Sequence, residues 1–195
     1  PTIVTPITVI EDSTDPSRLW ICSFGNGLGS FDKKTRQTTI FAHDAADPGS
    51  ISNDIMAQIV QDDAGFIWLP TWGGGLDQFD PRTGRVVARF RHDPKDPTSI
   101  GSDTVVNAYI DSRKRMWLGT YGGGLNLMDR SSGTFQRFNA ASGFPSDTVT
   151  NVLEDDQGHL WLGTKIGFVR FNPESHKTRV LTTADGMAGN EFQEG

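Results

Sequence analysis

Residues 155–169 read Asp155-Asp156-Gln157-Gly158-His159-Leu160-Trp161-Leu162-Gly163-Thr164-Lys165-Ile166-Gly167-Phe168-Val169. The core of this stretch occurs twice more, as Ile67-Trp68-Leu69-Pro70-Thr71-Trp72-Gly73-Gly74-Gly75-Leu76 and Met116-Trp117-Leu118-Gly119-Thr120-Tyr121-Gly122-Gly123-Gly124-Leu125. A degenerate copy runs Leu19-Trp20-Ile21-Cys22-Ser23-Phe24-Gly25-Asn26-Gly27-Leu28. The repeated tryptophans stand 48, 49 and 44 residues apart. A self-similar period of that length marks a repeat array.

Within each period, short alternating apolar runs are separated by turn residues. In the second unit the spacing predicts strands over 55–61, 66–71, 76–80 and 86–91, with turns at Asp62-Asp63-Ala64-Gly65, Gly73-Gly74-Gly75 and Pro81-Arg82-Thr83-Gly84. The third unit follows the plan over 105–111, 115–120, 125–129 and 135–139, and the fourth runs from Val149 to Thr182. No run carries helical periodicity beyond one turn. Four antiparallel strands per 44 to 49 residues predict an all-β chain of about four β-propeller blades, at roughly 4–42, 54–91, 104–139 and 148–183. The resemblance of 189–192 to 146–149 places the start of a further blade in 184–195 and makes the chain read as part of a larger propeller. A β-sandwich also has evenly spaced strands, but does not need one side chain repeated at one place. A propeller does, so the tryptophans are expected to wedge between blades.

Eighteen basic and 24 acidic residues among 195 give a net charge of −6, with no basic stripe to hold a nucleic-acid backbone. No apolar run reaches the roughly 18 residues that cross a bilayer. The single cysteine, Cys22, is expected to pack as a small apolar group.

These residues resemble the two-component regulator propeller repeat, whose signature is Asp-x-x-Gly-x-(Leu/Ile)-Trp-(Leu/Ile)-Gly-Thr-x-x-Gly-Gly-Leu. Residues 155–164 match it closely, Gly143-Phe144-Pro145-Ser146-Asp147-Thr148-Val149 matches the restart of the next blade, and residues 92–100 look like the family's longer inter-blade linker. The resemblance implies the periplasmic sensor region of a bacterial membrane-bound receptor, with a kinase or cyclase output elsewhere in the full protein and a glycan fragment as a ligand class. Pro70 and Cys22 stand where the signature has Gly, and Phe168-Val169 where it has Gly-Leu, so distorted blades are expected there.

The residue after each signature Thr or Ser varies while its surroundings repeat: Phe24, Trp72, Tyr121 and Lys165. In a meander blade this position lies on the same face as the inter-blade linkers. Three aromatics and a cation there suit stacking on a sugar, so these four are the candidate ligand-binding residues of a non-catalytic module. The structural alternative is that they fill gaps between blades.

His43 and His92 occupy equivalent linker positions and are expected to make linker hydrogen bonds, while His159 and His176 fall in turns. No His–carboxylate or Ser-His-Asp arrangement can be placed, and no ligand spacing points to a metal or cofactor. Asp-rich turns such as 93–96 read as solvated carboxylates rather than a calcium loop. Two other functions remain open: a propeller lyase of the streptogramin-inactivating type, which needs a base at the channel mouth, and a protein-interaction scaffold. Exposed blade edges predict self-association.

Overall fold

The computed structural model describes residues 6–186; the restart expected over 184–195 lies mostly outside them. The first sheet holds β1 (Pro6–Glu11), β2 (Arg18–Ser23), β3 (Leu28–Asp32) and β4 (Thr38–Phe41). The second holds β5 (Val60–Gln61), β6 (Ile67–Thr71), β7 (Gly75–Asp80) and β8 (Arg85–Phe90). The third holds β9 (Val105–Ile110), β10 (Met116–Thr120), β11 (Leu125–Asp129) and β12 (Thr134–Phe138). The fourth holds β13 (Val149–Glu154), β14 (Leu160–Thr164), β15 (Gly167–Phe171) and β16 (Thr178–Leu181). Each sheet is four-stranded with its strands in sequence order, and the ladders are antiparallel. Only two single-turn 3-10 segments, Ala140–Ser142 and Thr183–Asp185, interrupt the β plan among the described residues.

The described residues divide into two compact units, one of residues 6–91 with 103–108 and the other of 92–102 with 109–186. Each unit has its own core, and the two cores repeat one another. In the first, Trp20 lies 6.0 Å from Phe41 and edge-on to Phe79 of the next blade at 5.7 Å, with Phe41 and Phe79 5.0 Å apart. In the second, Trp117 lies 6.0 Å from Phe138 and edge-on to Phe171 of the next blade at 5.8 Å, with Phe138 and Phe171 5.1 Å apart. The indole is therefore a wedge between consecutive sheets, as its repetition requires. Cys22 is fully buried in the first core, where burial also pushes its thiol up from the ordinary value.

The second sheet departs from expectation. The first strand expected over 55–61 shrinks to Val60–Gln61, and Ile55 survives as an isolated bridge to Phe24. The segment between is held by side chains instead of a ladder: the Thr8 hydroxyl donates to the Ala57 carbonyl at 3.0 Å, and the Ala108 N–H donates to Gln58 Oε1 at 2.9 Å. Pro70 stands on the neighbouring strand and brings no N–H to pairing. In the first and fourth sheets the departures from the signature leave all four strands intact, with one register irregularity each, at Pro6/Thr8 and Val149/Asn151.

A second repeated device was not expected. Each repeated indole donates its Nε1–H to a turn aspartate: Trp20 to Asp12, Trp68 to Asp62, Trp117 to Asp111 and Trp161 to Asp155, at 2.8 to 2.9 Å. The other carboxylate oxygen accepts the backbone N–H two residues on, from Thr14, Ala64, Arg113 and Gln157. One carboxylate thus closes the turn and satisfies a buried indole donor. Asp93 and Asp96, which are exposed, likewise accept the N–H of Lys95 and Thr98.

The charged form of these aspartates is the one the turns need. Burial pushes Asp12 up, but hydrogen bonds from Gln61, Thr14 and Trp20 outweigh it and bring it down to about 2. The Trp161 indole does the same for Asp155, also to about 2. A depressed carboxylate adds stability that is fully present above its unfolded value, near 3.8, and is lost as pH falls through the folded value. Thermal melting is therefore expected to fall steeply between pH 4 and about 2 and to be flat between pH 5 and 7, which calorimetry across that range checks.

Candidate functional site

The loops that carry the variable residues are built by glycines. After β2, β6 and β10 the chain turns back through Gly25–Gly27, Gly73–Gly75 and Gly122–Gly124, whose outer glycines all have positive φ, from 70° to 99°. That backbone shape aims N–H groups at the restart of the next blade. Gly25 and Gly27 donate to the Asp54 carbonyl, Gly73 and Gly75 to that of Asp103, and Gly124 to that of Asp147, at 2.8 to 3.1 Å. The residue just before each glycine run then bridges to the following blade: Phe24 with Ile55, Trp72 with Thr104, and Tyr121 with Thr148. The signature Thr closes the loop from within, Thr71 and Thr120 donating to the Gly75 and Gly124 carbonyls at 2.8 Å.

The four candidate residues fall into two pairs, one in each unit. Phe24 and Trp72 meet edge-to-face with ring centroids 6.3 Å apart. They are 53% and 39% exposed, which separates them from the fully buried Trp20, Trp68 and Trp117. Tyr121 is half-buried and Lys165 exposed, and the Lys165 ammonium sits 5.5 Å over the Tyr121 ring. That distance is within the reach of a cation–π contact. The first pair offers two apolar ring faces, the second a ring and a positive charge.

Sequence reading missed the groups that frame the first pair. Asn53 Nδ2 donates to the Trp72 carbonyl at 2.9 Å, Arg91 Nη2 donates to the Gly73 carbonyl at 2.9 Å, and Arg91 Nε lies 3.6 Å from Asp103. Their linker positions, just before each restart, were the available signal.

The histidines sit elsewhere. His43 and His92 place Nδ1 at 2.8 Å from the Ile51 and Ile100 carbonyls, the linker bond expected of them. His159 Nδ1 lies 3.4 Å from Asp155 and 2.9 Å from Arg170 Nη2, so a His–carboxylate contact does exist, contrary to expectation. Asp155 is already committed to the Trp161 indole and two backbone N–H groups, and Arg170 shares the site, which makes this a structural knot. His176 packs on Phe138 and Phe171. Among the described residues, no three His, Cys, Asp or Glu side chains gather as metal ligands, and no helix is long and apolar enough to cross a membrane.

Residues 143–165 match the family model described as two component regulator propeller. No curated protein matches the chain. Among solved structures, the extracellular domain of the hybrid two component system BT3049 from B. thetaiotaomicron superposes with a TM-score of 0.76 at 19% identity, covering 91% of this chain and 24% of that one. The extracellular domain of the hybrid two component system BT4673 from the same organism gives 0.76 at 17% identity, covering 93% and 25%. The WD40 β-propeller domain of Doa1 gives 0.65 at 14% identity, covering 88% and 52%. The chain spans about a quarter of the length of the two bacterial domains. It is an all-β chain of β-propeller blades, within which residues 143–165 match the two-component regulator propeller model.

Proposed function

We propose that this chain is part of an extracytoplasmic sensor propeller of a bacterial two-component receptor, that it is not itself catalytic, and that it binds small ligands, glycan fragments, on the loops that bear Phe24 and Trp72 in one unit and on those that bear Tyr121 and Lys165 in the other. The observation that carries the reading is the exposed edge-to-face pair of Phe24 and Trp72. Large aromatics left half in solvent on glycine-built loops, beside the fully buried Trp20, Trp68 and Trp117, are what stacking on a sugar ring requires. The repeat match and the two extracellular relatives support the receptor context. The non-catalytic reading is supported by the histidines, each held by a linker carbonyl, an arginine or a phenylalanine cluster away from these four residues. A ligand bound here signals only if it binds two receptor states with different affinity.

Calorimetry with a panel of oligosaccharides tests this. Trp72→Ala and Tyr121→Ala are each expected to weaken binding about tenfold or more, in line with a stacking contact worth roughly 1.4 kcal/mol. Unchanged affinity in both variants removes these loops from the site.

A further inference from the structure

The inter-blade segments share one plan, and the third departs from it. Phe41, Phe90 and Phe138 stand at equivalent places near the ends of β4, β8 and β12, paired with Leu28, Leu76 and Leu125. Ile51, Ile100 and Phe144 are the buried residues at which each segment returns to a core. Nine residues separate Phe41 from Ile51 and Phe90 from Ile100, but only five separate Phe138 from Phe144.

In the two long segments the extra length is a hump seated on the outer strand of the blade that follows. Val86 of β8 donates its N–H to the Gly49 carbonyl at 2.9 Å, and Phe135 of β12 donates to the Thr98 carbonyl at 2.7 Å. Arg89 and Arg137 of the same strands donate to the Ser50 and Ser99 carbonyls, both at 2.7 Å. Arg85 pairs with the Asp47 carboxylate. The humps read Asp47-Pro48-Gly49-Ser50 and Asp96-Pro97-Thr98-Ser99. Each is an acidic proline turn closed by its own aspartate, which accepts the N–H of Gly49 at 2.9 Å or of Thr98 at 2.8 Å.

The fourth sheet keeps the seat and lacks the hump. Thr178 pairs with Phe171 as Val86 pairs with Phe79 and Phe135 with Met128. The neighbouring pair is bonded, Asn172 N–H to the Lys177 carbonyl, so the alternation of an antiparallel ladder turns the Thr178 N–H outward from the sheet edge. Among the described residues no segment accepts from it. Beside it opens a pocket of about 210 Å³ lined by Gln136, Phe138, Ser142, Phe144, His176 and Thr178, all in one compact unit. The His176 ring lies 5.0 Å from that of Phe138. Lys177 precedes Thr178 as Arg85 precedes Val86; it is exposed and makes no ion pair among the described residues. A strand edge with a main-chain donor beside a side-chain pocket is how sheets take an added peptide.

We propose that this edge and pocket are a docking site for an acidic proline turn of a partner protein, seated as the chain's own humps are seated on the second and third sheets. The Thr178 N–H takes a main-chain carbonyl of the turn. The Phe138, Phe144 and His176 rings take its proline, and Lys177 takes its aspartate. Val180 stands at the position of Arg89 and Arg137 and offers no guanidinium to a second carbonyl, which sets the affinity of a short peptide at about millimolar. The site is independent of the loop aromatics.

The test is NMR titration of the whole chain with the capped peptide Asp-Pro-Lys-Asp-Pro-Thr-Ser-Ile, copied from residues 93–100, to about 5 mM, which reaches millimolar affinities. The control peptide has alanine at both prolines and both aspartates. The Thr178 amide and His176 ring signals are expected to shift with the first peptide and not with the second. Lys177→Glu, a change at an exposed residue, is expected to weaken binding about fivefold. Replacing residues 139–143 by the nine residues 91–99 is expected to seat a hump in cis, so that peptide binding is lost and the Thr178 amide exchanges with solvent at least tenfold more slowly. No response to the peptide, equal response to the control, or full affinity in Lys177→Glu or in the folded grafted chain overturns the proposal.

Discussion

Trp117→Ala is expected to cost about 3–5 kcal/mol of stability, the range for removing a large buried aromatic from a core it cannot refill. The indole is fully buried and touches two other rings across the gap between consecutive sheets. Its loss leaves a cavity between elements that are joined there mainly by side chains, so neither sheet can close the gap alone. The change also leaves Asp111 without the N–H that lay 2.9 Å from Oδ2, although Arg115 remains on the same oxygen at 2.6 Å. Against a total stability of typically 5–15 kcal/mol, that is enough to unfold a large share of molecules at moderate temperature. Urea unfolding followed by circular dichroism checks it. Trp161→Ala is the matched control: that indole keeps its aspartate at 2.8 Å but is only half-buried, so the expected loss is less than half as large. Equal losses at the two positions would mean that the hydrogen bond, not the wedge, carries the stability.

The wedge is legible from the repeat alone. A tryptophan at one place in four periods points to one packing role, which Trp20 and Trp117 fill between consecutive sheets. Strand limits followed to within a residue or two wherever alternation was bounded by Gly, Pro or Asp. The exception is β5. There the failure is physical: the alternation of Ile55, Ala57 and Ile59 is real, but the Ala57 carbonyl accepts from the Thr8 hydroxyl, and the Gln58 side chain from the Ala108 N–H, instead of the segment pairing with β6. The aspartate–indole bond was within reach and went unread. Asp62, Asp111 and Asp155 each precede their tryptophan by six residues, a spacing as regular as the tryptophans themselves. A turn aspartate looks the same in sequence whether it faces water or a buried donor, and only the regularity of the spacing could have told them apart.

At the candidate site, sequence placed each variable residue on its loop but could not say which of them meet. The pairing of Phe24 with Trp72, and of Lys165 with Tyr121, depends on where the glycine turns carry the backbone of one blade relative to the next.

The glycine turn that presents Tyr121 should forgive a side chain at one end and not at the other. Gly122 and Gly124 both have positive φ, 84° and 70°, yet their surroundings are opposite. A Cβ at Gly122 would meet no atom within 4 Å, whereas one at Gly124 would collide with the carbonyl oxygen of Phe138. Gly122→Ala is therefore expected to cost only the left-handed penalty of about 1–2 kcal/mol. Gly124→Ala carries that penalty and a backbone clash besides, for roughly 3–5 kcal/mol in all, since a carbonyl in a strand cannot rotate away as a side chain tip can. At about 2–4 °C per kcal/mol for a chain of this size, melting should fall by roughly 10 °C for Gly124→Ala and by a few degrees for Gly122→Ala. The same clash would pull the Gly124 N–H off the Asp147 carbonyl, now at 2.8 Å, and with it the bridge between Tyr121 and Thr148. Ligand binding at the Tyr121 loop should then weaken in Gly124→Ala even at temperatures where the variant is folded, while Gly122→Ala binds normally. Equal melting temperatures for the two variants would show that the turn relaxes around a side chain, and that the repeated glycines are there for φ alone.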